Sequence, residues 1–132
     1  MFGLFPKKPN PIEQAVSLIY SVLSGQISLA GSKGGTKEIL EDEWAMGYIF
    51  GYVDSVLQQA QIGGEAASMA VMTAVHEKLF DVEGVNALRR SLGLQGRRDF
   101  LAGMMAGGEE AASFMQTGSP TLGLAFYFRN KS

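Results

Sequence analysis

Apolar residues recur at intervals of three and four along several stretches of the chain, the period of helices that bury one face. Ile12, Ala15, Val16, Ile19, Tyr20 and Leu23 form the first stripe, and Pro11 stands where a missing N–H costs nothing. Ser24-Gly25 suits its end. Residues 27–36 hold Gly31, Gly34 and Gly35 and read as a loop that closes on Thr36, a good N-cap. A helix over residues 37–61 is expected next, with Glu38, Glu41, Asp42 and Glu43 crowding its positive end.

Gly63-Gly64 interrupts that helix. The period restarts over residues 65–81 through Ala66, Ala67, Ala70, Val71, Ala74, Val75 and Leu79. Val85, Leu88 and Leu92 mark a short helical segment ending near Gly93, and a further long helix is expected over residues 97–116. Gly118-Ser119-Pro120 stops it, and the aromatic tail over residues 122–128 reads as an extended arm that covers the bundle or packs on a partner. The pattern therefore predicts an all-α fold, a four-to-five-helix bundle. Its domain is expected over residues 12–118, between a non-helical arm at 1–11, rich in Pro6, Pro9 and Pro11, and an apolar arm at 119–132.

A shift of 56 residues lays Trp44, Gly47, Gly51 and Asp54 on Phe100, Gly103, Gly107 and Glu110. It also lays the first apolar stripe on the third, which suggests two tandem helical hairpins over residues 12–61 and 65–116. Glycine inside a helix costs about 1 kcal/mol relative to alanine, so each Gly-x-x-x-Gly face implies a compensating gain. Close approach of two backbones supplies one: Gly47, Gly51, Gly103 and Gly107 are expected where the second and fourth long helices cross. The same shift sets Glu41-Asp42-Glu43 opposite Arg97-Arg98-Asp99, so corresponding corners carry opposite charge and are expected to pair within the bundle or between subunits.

Composition narrows the functional classes. An apolar share of 46% with 18% charged residues describes a folded globular chain. A net charge of −2 gives no global field for nucleic acid. No cysteine occurs, which removes disulfides, thiolate metal sites and cysteine nucleophiles, and a cytoplasmic setting is expected. No run approaches the roughly 18 apolar residues of a membrane span, and the N-terminal residues place their lysines after the apolar stretch, unlike a secretory signal. The short arm with Phe2, Leu4, Phe5, Lys7 and Lys8 would bind a membrane surface only marginally.

Catalytic patterns are sparse. The loop from Gly31 to Lys37 lacks the glycine and hydroxyl that a phosphate-binding loop needs at Thr36 and Glu38. The only histidine, His76, has no nucleophile-elbow sequence beside it, and Glu38 and Glu41 match half of a carboxylate pattern found in helical nucleotide pyrophosphohydrolases. Asp54, His76, Glu109 and Glu110 are the residues able to meet around a metal, which would make the protein a metal-dependent small-molecule or nucleotide hydrolase. The leading expectation is instead a small protein-interaction or regulatory module that forms homo-oligomers and needs no cofactor. Its candidate contact residues are Arg89, Arg90, Arg97, Arg98, Phe126 and Phe128. The methionines, Met69, Met72, Met104, Met105 and Met115 among them, are expected mainly in the core.

Overall fold

The computed structural model describes residues 10–131, with the backbone alone for Ser32 and Lys33. Residues 1–9 of the expected N-terminal arm lie outside the described residues. The elements are α1 (Pro11–Ala30), α2 (Thr36–Leu40), α3 (Glu43–Gln59), α4 (Glu65–Phe80), α5 (Gly84–Gly93), α6 (Arg98–Thr117) and α7 (Gly123–Arg129), with 3-10 turns at Gly31–Gly34 and Asp81–Glu83. No strand occurs among the described residues, and the all-α bundle expected from the pattern is the fold.

Helix α3 is the hub. Ala45, Met46, Tyr48, Ile49, Tyr52, Val53, Val56 and Leu57 are buried over half of its circumference, and buried Gly47 and Gly51 extend that around most of the helix. Helix α6 lies along α3 and meets little else beyond α7, whereas α1, α4 and α5 pack together and against α3. The core joins Ile19 and Leu23 of α1, Ile39, the α3 residues, Val71 and Val75 of α4, and Phe100 of α6.

All four helix-crossing glycines stand where α3 meets α6. A side chain on Gly47 would run into the backbone of Phe100 and Met104, and one on Gly51 into that of Met104. One on Gly103 would meet the backbone of Trp44 and Tyr48, and one on Gly107 that of Tyr48. At the crossing these two sets of contacts exchange under the 56-residue shift, which relates Trp44 to Phe100 and Tyr48 to Met104.

Four boundaries differ from the sequence pattern. Thr36 is not an N-cap but the first residue of α2, whose N-cap is Gly35 in an extended conformation. Helix α1 does not stop at Ser24-Gly25 but runs to Ala30, because Gly25 faces water while Gln26 and Ala30 beyond it are buried. The expected helix over 37–61 is two helices: Asp42 takes an extended conformation and its carboxylate accepts the Ala45 N–H at 2.9 Å, starting α3 afresh. The tail is not extended. It forms α7, and Leu124, Ala125 and Phe128 bury themselves against the bundle, chiefly on α1 and the turn at Gly31–Gly34.

Candidate functional site

Two regions bring chemistry-bearing side chains together: the cradle that holds α7 and the outer face of α6. In the cradle, side chains serve the N–H groups at the start of α7, which have no partner inside the helix. Glu110 Oε1 accepts the backbone N–H groups of Leu122 and Gly123, both at 3.0 Å. Gln26 Oε1 accepts those of Leu124 at 2.9 Å and Ala125 at 3.3 Å. Tyr48 joins the two receivers, taking the Gln26 Nε2 hydrogen at 2.8 Å and donating its hydroxyl to Glu110 at 3.0 Å. Burial, reinforced by the neighbouring Glu110 carboxylate, holds the Tyr48 phenol far above its ordinary range and keeps it a neutral donor.

The far end of α7 is held by Asp42. Its carboxylate accepts the Tyr127 hydroxyl at 2.9 Å and the Lys131 ammonium at 2.5 Å, in addition to capping α3. Burial alone would raise the Asp42 pKa, but the bonds from Lys131, the Ala45 N–H and Tyr127 outweigh it and hold the carboxyl below its usual value. Trp44 stacks on Tyr127 with ring centroids 4.1 Å apart. The cradle is thus occupied by the chain's own tail.

The candidate metal ligands do not converge. Asp54 on α3 accepts the Gln58 side-chain amide at 2.8 Å, Glu109 faces water on α6, and Glu110 caps α7. His76 is fully buried on α4, with Nδ1 2.7 Å from the Met72 carbonyl oxygen and Nε2 without a hydrogen-bond partner. Burial depresses its pKa below 6.5, so the ring is neutral. Among the described residues no group of three or more His, Cys, Asp or Glu is close enough to share a metal ion, and no helix is long and apolar enough to cross a membrane.

The candidate contact residues divide. Phe128 is buried inside its own chain, while Phe126 is 54% exposed. Arg97 grips Glu43 through two bonds of 3.0 and 3.2 Å, so the oppositely charged corners pair within the chain. Arg90 reaches the Leu40 carbonyl at the end of α2, and Arg89 lies 3.5 Å from the Asn86 side chain. Arg98 projects into water with Asp99 3.9 Å away.

Helix α6 carries what the sequence pattern did not single out. Its inner side is the glycine seam, and its opposite side bears Leu101 and Met105, 43% and 66% exposed. At about 100° per residue, Arg98, Leu101, Met105 and Glu109 share an arc of roughly 80° centred opposite Gly103 and Gly107. Exposed Ala102 and half-buried Ala112 fall on the same side. Met105 thus departs from the expected core placement, as does Met69 at 44% exposed, whereas Met72 is buried. Leu101 and Met105, one turn apart, thus form an exposed apolar pair on a helix packed chiefly from its other side. Compared with known protein families, curated proteins and solved structures, the chain matches none.

Proposed function

We propose that the protein is a small interaction module that associates with a second copy of itself through the outer face of α6. The supporting observation is the exposure of Leu101 and Met105 directly across the helix from the glycine seam. The seam commits one side of α6 to α3 and leaves the other to water. Association removes that apolar surface from water at roughly 25 cal/mol per Å². The tail contributes little to this contact, since Phe126 is its one large apolar side chain left exposed among the described residues. The absence of cysteine supports a cytoplasmic setting, because such a domain draws nothing from an oxidising compartment.

Light scattering over a concentration series tests the reading. The wild-type mass is expected to climb from 14.2 kDa toward twice that value. A variant carrying Leu101→Ser and Met105→Ser is expected to stay at the single-chain mass with unchanged helical content. A wild-type chain that remains single up to millimolar concentration refutes it.

A further inference from the structure

We infer that the two copies meet with their α6 helices antiparallel about a twofold axis near residue 103, each Arg98 facing the partner's Glu109. This inference rests on the self-association reading above and names its geometry.

Three features carry it. First, the outer arc of α6 is self-complementary when reversed. Arg98 lies at one end and Glu109 at the other, with Leu101 and Met105 between them, so the midpoint of the charged pair and that of the apolar pair nearly coincide. A twofold axis there sets Arg98 against Glu109 twice and Leu101 against Met105 twice, the arrangement a self-associating patch requires. A parallel pairing would set Arg98 on Arg98 and Glu109 on Glu109, and like charges held together oppose contact.

Second, the charges are accessible. The Arg98 side chain is 96% exposed and its ion pair with Asp99 spans 3.9 Å, at the limit of contact, while Glu109 is exposed. Arg97, one residue away, is already spent on Glu43, so the two arginines at this corner divide between holding the fold and facing outward. Third, Ala102 adjoins the apolar pair on the same side of α6, and a small residue there lets two helices approach closely.

A patch on one 20-residue helix, about 30 Å long, buries less than the roughly 800 Å² per partner of a standard interface. The dimer is therefore weak, forms with concentration, and loosens as salt screens the end charges.

The experiment uses the full chain and two charge reversals, Arg98→Glu and Glu109→Arg, measured by sedimentation equilibrium. Each variant alone places like charges together at both ends, and its dissociation constant is expected to rise at least tenfold over wild type. An equimolar mixture sets a chain with acid at both positions against a chain with base at both. It is expected to form a heterodimer at least as tight as the wild-type dimer, and thermal melts of all chains should agree because both positions are exposed. If wild type associates but the mixture is no tighter than either variant alone, the antiparallel register is wrong while self-association stands. If a chain carrying both reversals pairs with wild type more tightly than with itself, or if the single variants dissociate no more readily than wild type, the helices do not run antiparallel and the inference is overturned. A wild-type chain that never associates overturns both readings.

Discussion

Replacing Gly103 with alanine adds one methyl group where two backbones already touch, and its effect follows from the geometry of the crossing. The new Cβ would lie 2.9 Å from the carbonyl carbon of Trp44 and from the nitrogen of Tyr48, and closer still to the Trp44 oxygen. Carbon atoms rest about 3.5–4.0 Å apart, and no rotamer relieves a clash with backbone. Helices α3 and α6 must therefore part by the better part of an ångström. A gap of that size forfeits roughly a quarter to a half of each affected contact, every contact being worth about 0.1–0.2 kcal/mol, and a large buried side chain makes some 40–60 of them. If about two-thirds of their contacts are affected, Tyr48 and Phe100, both fully buried at the crossing, lose about 3–5 kcal/mol together. Alanine returns about 1 kcal/mol of helix propensity, leaving a net loss of about 2–4 kcal/mol. For a chain of this length 1 kcal/mol moves Tm by about 4 °C, so a fall of about 8–16 °C is expected by circular dichroism. The control is Gly25→Ala, which sits inside α1 with nothing within 4 Å of the added carbon. The same change there is expected to raise Tm by about 4 °C. If Gly103→Ala is neutral or stabilising, the helices are not packed through their glycines.

Two further outcomes probe the cradle and the core. Glu110→Ala strips the acceptor from the Leu122 and Gly123 N–H groups and from the Tyr48 hydroxyl. A loss of about 2–3 kcal/mol is expected, with a red shift of the single tryptophan, Trp44, as Tyr127 lifts away. An unmoved emission maximum would mean that Glu110 does not hold the tail. For His76, the folded pKa lies below the unfolded 6.5. Its contribution is thus fully present above pH 6.5 and is lost as pH falls, with a slope of up to about 1.4 kcal/mol per pH unit. Because His76 is the only histidine, His76→Leu is expected to flatten denaturation free energies between pH 6.5 and 5. A slope identical to wild type would show that the ring is solvated when folded.

The sequence was most legible where it broke a rule. Gly47, Gly51, Gly103 and Gly107 are poor helix formers at helical spacing, and the crossing of α3 over α6 is the compensation that explains them. Periodicity placed the long helices but misjudged their ends, since a local signal such as Ser24-Gly25 yields to tertiary demand: α1 continues because Gln26 is needed to cap a helix 98 residues further along the chain. The tail was opaque for the same reason. Seven residues cannot form a stable helix alone, and α7 exists because Glu110, Gln26 and Asp42 hold its ends. None of those three roles leaves a local pattern. Among the charged residues, composition could not separate Arg97, which closes the fold on Glu43, from Arg98 beside it.

The exposed apolar pair on α6 was nevertheless implicit in the glycines. Once Gly103 and Gly107 face α3, helical geometry places Leu101 and Met105 on the far side, so the seam that defines the inside of α6 also defines its outside. A helix packed by leucine ridges stands farther from its neighbour and can wedge between two. One seated on backbone through glycines lies flush against a single partner, and α6 meets little beyond α3. Leu101 and Met105 then have no core within reach, so the seam that stabilises this fold also leaves exposed the face proposed above to receive a second copy.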